Sequence, residues 1–241
     1  MKLSIIIPVF NEEKTVAKVL KKVTSVKLPV KNIEYIIVDD GSIDTSAVII
    51  AETYKKLGSP RGFKFIKHSK NKGKGAAVKT GIQKASGDYI VIQDADLEYN
   101  PDDISKLLKP IIEGRAKVVY GTRLNRLPNF KRDERTPQFF IQYLGNKFLS
   151  FVTSVLYFHW ITDMECCYKL FPKNALKNTK LDARGFEFEP EITAKLLKSG
   201  YKMLEVPIST NPRGYNEGKK LNSFKDGPIA LWTLVKYRFI N

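Results

Sequence analysis

The chain has 241 residues, 43% hydrophobic and 27% charged, which suits one large α/β domain or two small ones, allows a sizeable core and argues against wholesale disorder. A formal net charge of +16 points to a polyanionic partner, whether nucleic acid, an anionic membrane surface or a phosphorylated substrate, and does not choose among them. Cys166 and Cys167 are the only cysteines and are adjacent, which excludes any disulfide beyond a strained vicinal pair. With His68 and His159 the only histidines, a zinc site lacks ligands, so the cysteines read as small buried hydrophobes in a reducing compartment. The apolar run that ends at Pro8 is too short for a signal peptide, and no stretch reaches the roughly 18 apolar residues of a membrane span. The expected location is cytoplasmic, with membrane contact only peripheral or through a membrane-protein partner.

Strand and helix patterns alternate over the first 120 residues. Leu3 to Ile7 is a short β-branched run, and Glu12 to Val26 carries Val16, Val19, Leu20 and Val23 at helical spacing, with Asn11 as its expected N-cap. Strands are predicted at Tyr35–Val38, Phe63–Ile66, Tyr89–Ile92 and Lys117–Tyr120. Helices are predicted at Ser46–Leu57, Gly75–Ala85 and Pro101–Glu113, the last with proline in its first turn. Leu124 to Pro137, with Arg126, Lys131, Arg132 and Arg135, reads as a mobile basic loop. Gln138 to Phe158 follows as a helix whose only polar stripe is Gln138, Gln142, Asn146, Ser150 and Ser154, so that it either packs on several sides or faces lipid headgroups. A helix at Glu189–Ser199, a strand at Lys202–Val206 and a helix at Pro228–Phe239 complete the chain.

Continuous apolar strands separated by helices read as βαβ units of a mostly parallel sheet, whose ligands bind beyond the carboxyl ends of the strands. The polar clusters sit at those ends: Asn11-Glu12-Glu13, Asp39-Asp40-Gly41-Ser42, Asp94-Ala95-Asp96 and Gly121-Thr122-Arg123. Two carboxylates one residue apart after a buried strand suit a hard divalent cation, Mg²⁺ or Mn²⁺, shared with phosphate oxygens, and Glu98 adds a third oxygen if the chain stays extended. Asp39-Asp40 reads either as a turn with a helix cap or as a carboxylate accepting from the N–H edge of a base. Asn71-Lys72-Gly73-Lys74-Gly75 lacks the ending of a P-loop and is expected to open a helix near the ligand.

Ile6-Ile7-Pro8-Val9-Phe10-Asn11-Glu12, Val38-Asp39-Asp40-Gly41-Ser42, Asn71-Lys72-Gly73, Gln93-Asp94-Ala95-Asp96-Leu97-Glu98 and Tyr120-Gly121-Thr122-Arg123 resemble family-2 glycosyltransferases, within them the dolichyl-phosphate mannose synthase and polyprenyl-phosphate glycosyltransferase branch. The resemblance runs on through Thr162–Lys169, Phe186–Ile192 and Arg213–Lys220 and covers nearly the whole chain in order. It implies a single GT-A-type domain, with a nucleotide-sugar-binding half over 1–123 and an acceptor-side half over 124–241. It further implies that Pro8, Phe10, Glu12, Val38 and Asp40 line the nucleotide. Asp94, Ala95 and Asp96 then meet the sugar diphosphate, Asp96 and Glu98 hold the metal, and Arg123, Arg213 and Lys219 surround the phosphates. Phe10 stands where many relatives carry Tyr, so stacking is kept and a hydroxyl is lost.

The expected reaction is inverting transfer of a hexose from a GDP-mannose or UDP-glucose type of donor to a polyprenyl or dolichyl phosphate. The acceptor phosphate is expected on Arg123, Arg132 and Arg135, with Arg213 and Lys219 as a polar lid. A phosphate acceptor is already anionic and needs no strong base; a glycan hydroxyl acceptor would, with Asp163 or Glu187 as first candidates. A basic nucleic-acid-binding protein is the rival from charge alone, and the carboxylates at the strand ends oppose it. A sugar nucleotidyltransferase would open with a Gly-rich loop where Pro8-Val9-Phe10-Asn11 stands.

Overall fold

A computed structural model describes residues 1–124, 137–211 and 223–240. In chain order the elements are β1 (Lys2–Val9), α1 (Val16–Ser25), β2 (Asn32–Asp39), α2 (Ser46–Lys56), β3 (Phe63–Lys67), α3 (Lys74–Lys84), β4 (Tyr89–Ile92), α4 (Ile104–Ile112), β5 (Val118–Thr122), α5 (Pro137–Tyr157), β6 (Lys169–Pro172), α6 (Phe188–Lys198), β7 (Met203–Pro207) and α7 (Ser223–Phe239). The strands form one sheet in the order β3-β2-β1-β4-β6-β5-β7. Pairing is parallel except at β6, which runs antiparallel between β4 and β5. Because β6 and β7 join strands of the N-terminal half, the chain is one domain around one sheet.

The middle of that sheet is dry. Leu3, Ile5, Ile6 and Ile7 of β1 are all fully buried, as a parallel strand covered on both faces requires. The sheet order reverses at β1, whose neighbours are β2 on one side and β4 on the other, so a crevice opens beyond the carboxyl ends of β1 and β4. At the opposite edge Glu34 fastens three segments. Its carboxylate accepts from the Ser4 hydroxyl, from the Ser86 and Gly87 N–H groups and from the Lys64 ammonium. Burial alone would raise this carboxyl, but the hydrogen bonds from Ser4, Ser86 and Lys64 outweigh it and hold it well below the usual carboxylate range.

Three local expectations are corrected. α1 starts at Val16, not near Glu12, and Asn11 is not its N-cap. Asn11 sits at positive φ, and its carboxamide accepts from the Ile43 N–H, tying the end of β1 to the loop after β2. The helix expected at Pro101–Glu113 opens instead as a 3-10 turn over Pro101–Asp103, capped by Asn100. β6 was not anticipated at all: it is four residues long, begins with a lysine and ends in a proline, so neither alternation nor composition marks it. Lys169 can be buried there because its ammonium reaches Glu189 at 2.5 Å and the carbonyls of Met164 and Cys166.

α5 carries apolar residues on two sides: Leu149 and Tyr157 are buried in the core, with Val152 and Leu156 packed against it, while a second apolar row faces out. Ser150 and Ser154 of its polar stripe are buried, where they accept from the N–H groups of Met164 and Ile161. Its outer apolar row Ile141, Leu144, Phe148, Phe151 and Val155, spaced three and four residues apart, is exposed, as is Phe158 just beyond its end. α7 packs beside it and also exposes Ile229, Trp232 and Phe239. No helix among the described residues is long and apolar enough to cross a membrane.

Candidate active site

The crevice holds a cavity of about 410 Å³ walled by the segments that follow β1, β2, β4 and β5, by the start of α3 and by α5. Pro8, Phe10, Glu12, Asp40, Asp94, Ala95, Asp96, Glu98 and Arg123 all line it, so residues spread over most of the N-terminal half converge. Val38 does not: it is fully buried in β2, in register with Pro8, and supports the wall from behind. Arg213, Lys219, Arg132 and Arg135 lie outside the described residues, as does nearly all of the basic loop.

One wall is rigid by construction. Asp40 is 2% exposed; its carboxylate accepts from the Lys72 and Gly73 N–H groups and meets His68 Nδ1 at 2.6 Å. His68 is braced in turn by the Thr80 hydroxyl. The Lys72 N–H is shared between both oxygens, so each carboxylate oxygen of Asp40 has two contacts. Gly73 is required here: it sits at φ +96°, and a Cβ would stand 2.3 Å from the Arg184 carbonyl oxygen. The carbonyls of Arg184 and Gly185 accept from Ala76 and Gly75, so the first turn of α3 is capped by protein.

Asp94 and Asp96 have different partners. Asp94 pairs with Lys74 at 2.9 Å. Burial alone would lower the Lys74 ammonium, but Asp94, Cys167 and Glu189 hold it well above its ordinary value, so it stays a cation inside the cavity. Asp96 accepts from the Glu98 N–H. The chain does not stay extended between them as expected: Leu97 takes φ +66°, a turn that brings Asp96 and Glu98 to the same cavity by a different route.

On the far side Arg123 is clamped. Its Nε and Nη2 both reach Asp163 at 2.8 Å, and Nη1 donates to the Tyr99 hydroxyl at 3.0 Å. Burial would lower the guanidinium, yet Asp163 and Tyr99 hold it well above its ordinary value. Asp163 is fully buried in this pair, so it is not the base that a hydroxyl acceptor would need. Glu187 is not that base either: burial would raise its carboxyl, but the N–H groups of Gly185 and Arg184 outweigh it and hold it low.

Asn71, Gly73 and Lys74 line the cavity too, as expected of a segment that opens a helix near the ligand, but sequence reasoning gave no site role to Tyr99, Gln142, Asn146, Glu165, Cys167 or Glu189. Gln142 and Asn146 carried a legible signal, since both belong to the polar stripe of α5. Glu165 and Glu189 had none beyond lying in resembling segments. Both cysteines are buried free thiols; burial pushes Cys166 up to about 12 and Cys167 well above its ordinary value, which makes them inert.

Comparison with known proteins places this geometry. A dolichyl-phosphate N-acetylglucosaminyltransferase of Methanococcus voltae, named for UDP-N-acetylglucosamine, is 33% identical over 235 residues, covering 90% of this chain and 89% of that one. A dolichol-phosphate mannosyltransferase of Pyrococcus furiosus is 29% identical over 225 residues, covering 91% of this chain and 59% of that one. Glucosyl-3-phosphoglycerate synthase from Mycobacterium tuberculosis, solved with Mn²⁺, uridine diphosphate and phosphoglyceric acid, shares the fold at a TM-score of 0.71 and 18% identity, over 100% of this chain and 79% of that one. The family model described as glycosyl transferase family 2 matches residues 4–179, which include the cavity's acidic strand ends and Arg123, and the chain belongs to that family.

Proposed function

We propose that this chain moves a hexosyl group, with inversion, from a nucleotide diphosphate sugar to a polyprenyl phosphate at a membrane surface. The observation that carries the acceptor reading is α5, which lines the cavity with Gln142 and Asn146 on one face and exposes an apolar row on the other. A ligand with a sugar or phosphate head and a hydrocarbon tail satisfies both faces; a water-soluble acceptor satisfies one. The names of the Methanococcus and Pyrococcus relatives, one for N-acetylglucosamine and one for mannose, support the same acceptor class.

In this reading the base lies against Pro8 and Phe10, with Asp40, which lines the same cavity, accepting from a base N–H on an oxygen it shares with the Lys72 N–H. Asp94 and Lys74 meet the sugar and its diphosphate. Asp96 and Glu98 fit Mg²⁺ or Mn²⁺: both are oxygen donors in one wall, and such ions fill their remaining positions with water and substrate phosphate. Among the described residues no cluster of three or more His, Cys, Asp or Glu side chains would hold a metal alone, so substrate oxygens complete the shell. When bound, the ion neutralises charge on the departing diphosphate. The Mn²⁺ and uridine diphosphate of the mycobacterial fold neighbour accord with this. Arg123 keeps two N–H donors beyond those given to Asp163 and Tyr99, and offers them to the acceptor phosphate together with Arg132 and Arg135. Arg213 and Lys219 are proposed to close over the donor.

The test is product analysis with a labelled sugar nucleotide and a short-chain polyprenyl phosphate. Label entering the organic phase supports the acceptor. Label found only in water-soluble glycans refutes it and leaves glycosyl transfer standing.

A further inference from the structure

The ionic groups around the inner end of the cavity are already matched. Lys74 pairs with Asp94, Lys169 with Glu189 and Arg123 with Asp163. Glu165 lines the same cavity with one carboxylate oxygen unmatched: its Oε1 is buried and has no hydrogen-bond partner among the described residues, whereas Glu189 Oε1, which also lacks a hydrogen bond, faces the Lys74 ammonium at 3.5 Å. A buried carboxylate oxygen without a hydrogen bond is destabilising, and native chains carry few of them. No hydrogen bond among the described residues uses this oxygen, so it is open to a ligand.

We propose that Glu165 binds the hexosyl group of the donor, accepting a hydrogen bond from a sugar hydroxyl. This rests on the glycosyltransferase reading given above and adds to it the residue that reads the sugar. The chemistry of the ligand follows from the chemistry of the vacancy in the hydrogen bonding. A carboxylate needs an O–H or N–H donor, and hexose hydroxyls supply them. A diphosphate or an ionised acceptor phosphate carries no such donor and is repelled by a like charge. The proposed function assigns Pro8, Phe10 and Asp40 to the base and Asp96 and Glu98 to the metal and diphosphate, which leaves the sugar for Glu165 among the lining residues. Burial, with the charges of Lys169 and Glu189 opposing each other nearby, raises the Glu165 carboxyl to about 7, as befits a group whose partner is neutral.

The experiment compares affinities in pairs: UDP-N-acetylglucosamine against UDP, UDP-glucose against UDP, and GDP-mannose against GDP, measured by calorimetry on the parent chain, Glu165→Ala and Glu165→Gln. For the pair the parent prefers, Glu165→Ala weakens the sugar nucleotide about 10- to 100-fold and leaves the bare diphosphate within about twofold. Glu165→Gln keeps part of the sugar affinity through its amide oxygen. Without ligand Glu165→Gln, which keeps the side chain's volume, melts close to the parent. Equal weakening of sugar nucleotide and diphosphate overturns the assignment, since it marks a general disturbance of the cavity. So does unchanged affinity for both. Loss of polyprenyl phosphate binding with unaltered sugar-nucleotide affinity overturns it in favour of the acceptor. A parent chain that binds the diphosphates but none of the three sugars overturns the donor reading and Glu165's role with it.

Discussion

Replacing Phe148 and Phe151 together by Glu tests whether the outward apolar row of α5 meets a bilayer. The two side chains are 54% and 58% exposed, so about half of each is still available for burial. Full burial of a Phe is worth about 1.5–3 kcal/mol, so the remaining halves amount to about 2–3 kcal/mol for the pair. At 1.4 kcal/mol per tenfold, vesicle affinity falls roughly 30- to 150-fold, and further if the new carboxylates meet anionic headgroups. The fold should survive, because these rings contribute least where they are already in water. Cosedimentation with vesicles containing anionic lipid measures the partition, and calorimetry of the free protein checks the melt. The parent should bind anionic vesicles, more weakly as salt rises. Partition unchanged by the double substitution, beside an unchanged melt, refutes the reasoning and leaves the row to another partner.

Asp96→Ala abolishes transfer while Tm stays within a few degrees, and full turnover by the parent in excess chelator would contradict the metal role of Asp96 and Glu98. Asp40→Ala weakens nucleoside diphosphate binding more than it slows bound substrate, because it removes both the base acceptor and the anchor of Lys72 and Gly73; equal diphosphate affinity counts against it. Gly73→Ala lowers both soluble yield and diphosphate binding, since the Cβ collides with backbone at a left-handed φ; a normal melt and normal binding would show that the loop adapts. Glu34 sets a pH dependence. Its folded carboxyl lies below the unfolded value, so its contribution is present above about pH 4.3 and is lost as pH falls towards the lower, folded value. Glu34→Gln costs about 2 kcal/mol at pH 7 and flattens the acid limb of a Tm-against-pH curve; an identical acid limb would refute this.

What the sequence made legible was what local patterning controls. Strand β1 announces itself by an unbroken buried run, and the acidic and basic strand ends mark the crevice because a parallel sheet puts every such end on one edge. The roles within the crevice were less legible, since they depend on partners remote in the chain. Nothing near Asp94 indicates Lys74, and nothing near Arg123 indicates Asp163, yet those pairings set the balance of charge in the crevice. The α5 pattern was read correctly as ambiguous. Only the packing of Ser150 and Ser154 against Met164 and Ile161 shows that the polar stripe faces inward.

On the proposed reading α5 would link the donor site to a membrane. A helix with its side chains is about 10–12 Å across, so a bilayer lying on the outer row of α5 would be one helix thickness from Gln142 and Asn146 in the cavity wall. A polyprenyl phosphate would then not need to leave the bilayer to react, since its head would have to rise only that far. Asp163 partly neutralises Arg123, and this suits a phosphate that must be released again once glycosylated, where an uncompensated buried cation would hold it. The carboxylates of Asp163 and Glu187 are spent on structure, an arrangement compatible with an acceptor that arrives already ionised and poorly suited to one that must first lose a proton.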